Sequence, residues 1–256
     1  MKVWQLFENF KLSELNANFA ELLTGVNAVK ASYLTANKTV YVATTGNDTT
    51  GDGTSGNPYK TITKGLSVIP KNLNGFAATL YIAGGTYAES VVVNGFHGGM
   101  VYVVLNGNIT VTSLSIMACQ YVFINGSSQY TITTTATTAV PFQVARGSSL
   151  SSLSVSYLVS TGNTQSGFYC GSNSSAHITG TLTANNALYG VIVSGESKAY
   201  ISNIAGSGND TGIYGAEGSV FSYRTKTISA TTDHILSGGS IITNDLLSNT
   251  ATQWNE

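Results

Sequence analysis

The chain has 256 residues, of which 42% are hydrophobic and only 9% are Asp, Glu, Lys or Arg, and its net charge is −1. An ordinary globular domain carries roughly 25% charged residues. The polar remainder here is Thr, Ser, Asn and Gly, so the chain is not expected to be disordered. With Arg146 the only charged side chain between Glu89 and Glu196, no basic stripe exists to hold nucleic-acid phosphates, an acidic polysaccharide or an anionic membrane surface.

The N-terminal stretch, residues 1–36, holds a disproportionate share of the charges. Within it Leu12, Leu15, Phe19, Leu22, Val26, Val29 and Tyr33 alternate spacings of three and four, an a/d heptad seam. The seam predicts a helix about 33 Å long at ~1.5 Å per residue, weakened by Gly25. It is read as a short self-associating coiled coil, the plainer alternative being one amphipathic helix packed on the end of the following domain. Residues 1–8 include Glu8 and no apolar run, so no signal peptide is expected and synthesis in a cytoplasm is. No apolar stretch of ~18 residues exists to span a membrane.

Residues 37–75 form a segment leading into the main domain. Thr39-Val40-Tyr41-Val42-Ala43 alternates as a strand, a turn-rich run from Gly46 to Pro58 follows, and Tyr59, Ile62, Leu66 and Ile69 then share one helical face. A short helix there would plug the open first turn of a stacked domain. Tyr41-Val42, Gly46-Asn47-Asp48, Asp52-Gly53-Thr54 and Pro58-Tyr59-Lys60-Thr61-Ile62 resemble the N-terminal signature of pectate-lyase-like right-handed parallel β-helices, a fold that recurs in bacteriophage tailspikes, tail fibres and bacterial surface proteins. The close match is confined to positions 41–62, and the rest of the chain resembles the family by strand period alone. The resemblance implies a right-handed fold. A trimeric coiled coil ahead of the β-helix is also familiar among phage fibres, and the Leu15-Asn16-Ala17-Asn18-Phe19 stretch resembles such segments.

Residues 76–256 carry the repeats. Strands are predicted at Thr79–Ile82, Val91–Val93, Val101–Leu105, Ile109–Val111, Tyr121–Ile124, Tyr130–Ile132 and Phe142–Val144, punctuated by Asn-Gly corners. Tetrads starting at Gly167, Gly190, Gly212 and His234 recur at an almost constant interval, each followed by a second apolar element at His177-Ile178, Tyr200-Ile201, Val220-Phe221 and Ile241-Ile242. Three short strands per period of about 22 residues describe one rung of a solenoid. The expected fold is therefore all-β, a right-handed single-stranded parallel β-helix behind a short N-terminal α-helical coiled coil, trimeric by resemblance. About 210 residues at ~22 per rung give nine or ten rungs and roughly 45 Å of rod. A β-sandwich is the alternative that strand spacing alone allows.

Glycoside hydrolysis on such a rod requires two carboxylates flanking the bond. The period would place Glu196 and Glu217 at one corner of neighbouring rungs, and would stack Asp210 with Asp233. Their plainer readings are a solvated corner, with Lys198 pairing Glu196, and ordinary turn chemistry around Asp210. Asp48 and Asp52 could bind calcium, although turn formation explains them more simply. His97, His177 and His234 have no partners at ligand spacing, and Cys119 and Cys170 are expected as buried free thiols, so no metal or other cofactor is expected. Tyr157, Tyr214 and Tyr223 are candidates to stack on sugar rings, or otherwise to stack across rungs.

The expected function is that of a virion structural protein, assembled in the host cytoplasm: a homotrimeric tail fibre, spike or appendage module. Its partners would be other tail proteins and a host cell-surface carbohydrate, with no nucleic acid and no membrane insertion. The alternatives are a polysaccharide depolymerase and a bacterial surface adhesin, the latter disfavoured by the missing signal peptide. The chain is short beside the tailspikes it resembles, which favours an adaptor, short spike or binding module.

Overall fold

The structure, a computed structural model, describes residues 12–126, 130–136, 140–153, 155–160 and 166–244. Helix α1 (Leu12–Ala31) stands at the N-terminus, and its described side chains lie in solvent apart from a half-buried Leu15. Strand β1 (Lys38–Val42) follows, then the turn-rich run and helix α2 (Ile62–Ser67). Tyr59, Ile62, Leu66 and Ile69 are all buried against the first strands, so α2 closes that end of the core. Gly65 permits the approach: a Cβ there would lie 2.7 Å from Val42 and 2.8 Å from Leu80.

The remaining strands wind into a parallel β-solenoid. Strands β2 (Ala77–Asn94) and β3 (Met100–Met117) each make one whole turn. The third turn is β4 (Val122–Asn125), β5 (Thr131–Thr134) and β6 (Phe142–Ala145), and the fourth is β7 (Ser149–Leu153), β8 (Ser156–Ser160) and β9 (Ser166–Cys170). Strands β10 (Ser175–Asn185) and β11 (Tyr189–Val193) form the fifth, β12 (Lys198–Gly215) the sixth, β13 (Val220–Leu236) the seventh, and β14 (Ile241–Asn244) begins another. Every pairing among the described residues is parallel, as stacked turns of one coil require, and this excludes the sandwich.

Each turn contributes to three faces. One register column on the first face runs Thr39, Thr79, Tyr102, Phe123, Ser151, His177, Tyr200, Ser222 and Thr243. From Thr79 onward its members are nearly evenly spaced along the chain, except that the steps from Phe123 to Ser151 and from Ser151 to His177 are longer. The alternate column, through Leu80, Val103, Ile124, Ile178 and Ile201, points into a core that continues along the rod. Seven complete turns replace the nine or ten expected, because the middle turns are longer than the late ones and the stretch before Ala77 forms α2 and loops. The rod is accordingly about 35 Å long at ~4.8 Å per turn.

The register also shifts part of the predicted repeat. Gly167, Gly190 and Gly212 are mates, but Gly212 faces Asp233 rather than His234. The three glycines exist for close approach: a Cβ on each would come within 2.6–2.8 Å of the carbonyl oxygen of the next turn. On the first face Tyr200-Ile201 pairs with Ser222-Tyr223, two positions beyond the predicted Val220-Phe221.

Candidate functional site

Two surfaces and one corner carry the chemistry. The corner joining the third face to the first repeats one backbone device, two successive residues with φ in the left-handed region. It recurs at Arg146-Gly147, Ser172-Asn173, Gly195-Glu196, Glu217-Gly218 and Gly238-Gly239. Single hydrogen bonds tie these corners turn to turn, including Asn173 N–H to Gly195 O at 2.7 Å and Glu196 N–H to Glu217 O at 2.9 Å. Glu196 and Glu217 therefore sit on neighbouring turns of one corner. They border an open depression of about 580 Å³ with Ser172, Asn173, Gly195, Gly218 and Gly238. Both are exposed, and nothing there buries one carboxyl as a general acid requires. The described ion pairs do not join Lys198 to Glu196.

Beneath the corner runs a feature the sequence expectations omit. Ser148, Ser174, Ser197, Ser219 and Ser240 each follow a corner and are buried. The Ser148 N–H donates to Ser174 Oγ (3.1 Å) and the Ser174 N–H to Ser197 Oγ (3.0 Å), while the Ser219 and Ser240 hydroxyls lie 3.3 Å apart. Cys119 heads the column, its N–H donating to Ser148 Oγ. The signal was a serine one or two places after every corner glycine or asparagine, at the rung period.

The aspartates do not stack. Asp233 faces Gly212, so the register mate of Asp210 is Thr231, two positions away. Asp233 instead forms a salt bridge with Lys226 and a 3.3 Å contact with His234 Nδ1. The hydrogen bond from Lys226, helped by His234, holds the Asp233 carboxyl below its usual range. In the Gly-rich loop Asp48 Oδ1 accepts from the N–H groups of Lys60 (2.8 Å) and Thr61 (3.0 Å), and Asp52 Oδ1 from Thr54 N–H (2.9 Å). These carboxylates organise turns, and among the described residues no group of three His, Cys, Asp or Glu could hold a metal ion.

Of the candidate tyrosines, Tyr157 is removed. It lies in the core, its ring 4.6 Å from Phe142, its hydroxyl donating to Ser152 Oγ at 2.6 Å, and its burial raises the phenol pKa. Tyr223 occupies an inward register position beside Ile201 and packs on the core. Tyr214 is half-buried on the outside of the third face, 5.1 Å from Tyr189. Outward aromatics that the sequence expectations passed over form face-to-face pairs on the first face, Tyr41 on Tyr81 (5.0 Å) and Tyr102 on Phe123 (5.1 Å). Rings stacked along the rod cover each other's faces.

The second face is a hydroxyl array. Thr86, Thr110 and Thr133 stand in one column, which passes through Leu158 and Ala205 to include Thr183 and Thr227. A neighbouring column holds Thr131, Thr181 and Thr225. Three turns thus carry a Thr-x-Thr motif, visible in the sequence as Thr131-Ile132-Thr133, Thr181-Leu182-Thr183 and Thr225-Lys226-Thr227.

The other surface is α1. Phe19 (61% exposed), Leu22 (63%), Val26 and Val29 (59%), all predicted seam positions, lie in solvent, joined by Leu23. Tyr33 is half-buried, where its backbone bridges Asn72, and the side chain of Leu12 lies outside the described residues. The alternative of a helix packed on the rod is not what is seen. Compared with protein-family models, with curated proteins and with solved structures, the chain matches none of them.

Proposed function

We propose that this chain is a virion structural protein: a tail fibre, spike or appendage module that trimerises through α1 and presents its sparsely charged solenoid to a host-surface glycan or a partner tail protein. The observation that carries the reading is the heptad seam of Phe19, Leu22, Val26 and Val29, left in solvent beside a rod that does not cover it. Helices in proteins draw most of their stability from packing an apolar face, so α1 gains its stability from association. The threonine array supports the glycan half, since outward columns of threonine hydroxyls and methyls suit a neutral sugar polymer. Light scattering of the full chain is expected to give three times the chain mass, and Leu22→Asp with Val26→Asp to give the monomer. Neutral polysaccharide stripped from bacterial cells is expected to bind the full chain, and Thr133→Lys with Thr183→Lys to weaken that binding at least tenfold. A monomeric wild type that binds no such polysaccharide overturns the reading.

A second reading, an endoglycosidase acting on the same polymer, rests on the juxtaposition of Glu196 and Glu217 on one corner. It requires release of reducing ends that Glu196→Gln or Glu217→Gln abolishes. Asp210 and Asp233 no longer form a candidate pair, because Lys226 and the register separate them.

A further inference from the structure

Two faces flank the corner from which α1 emerges. The segment after the helix joins the rod at this corner, where Tyr33 bridges Asn72 and Asn72 bridges His97. The outward column of the first face passes through Tyr102, Phe123 and Ser151, as given above. The outward column of the third face runs Val92, Ser115, Gln143, Tyr169, Ile192, Tyr214 and Ile235. Neither column contains Asp, Glu, Lys or Arg.

Taken turn by turn, the two columns are complementary in size at three of the seven turns, while the first turn sets Thr79 against Val92 and the buried Ser115 of the second lies against Gln143. In the second turn Tyr102 is matched by Ser115, and in the third Phe123 by Gln143. In the fourth the order reverses, Ser151 with Tyr169, and in the seventh Ser222 is matched by Ile235. The fifth and sixth turns place medium or large groups on both faces, Tyr200 and Tyr214 among them. Among the described residues the rod's exposed large apolar side chains are Val92 and Ile235 on the third face, Met100 and Tyr121 at the start of the first, and Leu188, just before the third-face strand β11.

We propose that copies of this chain pack side by side with the first face of one against the third face of the next, the α1 corner turned to the common axis and the threonine face turned outward. The inference rests on the association of α1 proposed above and specifies how the rods continue it. Rotation about an axis parallel to the rods keeps turns level, so at the second, fourth and seventh turns a large side chain on one copy meets a serine on its neighbour. The contact is head-to-tail between unlike faces, which closes into a ring when the rotation permits. A helix of 20 residues, about 30 Å long, is a short seam for three strands, and the rod contact supplies the additional buried surface.

The test uses the full chain. Phe123→Cys and Gln143→Cys, outward residues on the two faces of one turn, are combined in one chain and oxidised. Denaturing gels are expected to show covalent dimers and trimers. Thr133→Cys with Thr183→Cys, on the second face, is expected to give none. In parallel, Tyr214→Lys is expected to raise the dissociation constant at least tenfold by light scattering, with Thr183→Lys leaving it unchanged and circular dichroism confirming the fold of each. An associated wild type that neither cross-links through Phe123→Cys and Gln143→Cys nor responds to Tyr214→Lys overturns the face assignment while sparing the α1 seam. A wild type that is monomeric at every concentration overturns both.

Discussion

At the corner joining the third face to the first, each turn must leave a strand, pass two left-handed residues and re-enter a sheet. The buried backbone groups there need partners. Serine supplies them: Ser197, fully buried, accepts the Ser174 N–H and has its hydroxyl 3.3 Å from the Gly195 carbonyl oxygen. Alanine would fit the space but leave the Ser174 amide unpaired, which costs about 1–3 kcal/mol. Ser197→Ala is therefore expected to lower the urea midpoint by the equivalent of about 2 kcal/mol, whereas Ser229→Ala, at an exposed position, stays within about 0.5 kcal/mol. Equal midpoints for the two variants would remove the serine column from the account of stability.

At the scale of elements, α2 shows how an end of the solenoid is closed. A helix of this length is not stable alone. Its N-terminal amides are taken by a side chain from the first turn: Glu89 accepts from Ile62 N–H (2.7 Å) and Thr63 N–H (2.9 Å), while Thr61 Oγ caps Lys64 N–H. Glu89→Ala is expected to cost about 1–2 kcal/mol. It should also speed amide exchange in α2 and β1 while leaving β12 and β13 protected; uniform acceleration along the rod would refute a local cap. The position of α2 was legible in the sequence, because Tyr59, Ile62, Leu66 and Ile69 fall on one helical face. Glu89 as its cap was not, since the two are joined only by folding. The same difference explains the tyrosines. Tyr157 follows Val155 by two places, and this alternation already places it inward, but so short a strand gives the pattern little weight. The late turns were legible because their lengths are nearly equal. The turn count was not, because turns three and four are longer, and Asp210 was expected beside Asp233 although the register sets it against Thr231, two positions away.

For the whole molecule, the small number of charges makes stability nearly independent of pH until buried neutral groups must ionise. Cys170 is fully buried, and burial raises its thiol from 9.0 to about 12. Tyr87 is raised from 10.0 to about 12 by burial and by the Glu89 charge, against a backbone hydrogen bond that lowers it. A folded pKa above the unfolded value means that the unfolded chain releases the proton first. The stabilisation is thus complete below the unfolded pKa and is lost as pH rises from about 9 toward about 12. On the acid side Asp233, held low by its Lys226 hydrogen bond, acts oppositely: its contribution is present above pH ~4 and lost below, and it is small because the group is exposed. Urea midpoints are therefore expected to be flat from about pH 5 to 9, then to fall by an amount on the order of 4 kcal/mol by pH 11. Cys119, the other buried thiol, is also raised by burial, so Cys170→Ala, although less stable at neutral pH from its cavity, is expected to make the fall between pH 9 and 10 shallower rather than remove it. A midpoint that declines equally in the variant and the parent between pH 9 and 10 would show that Cys170 is not the group being titrated.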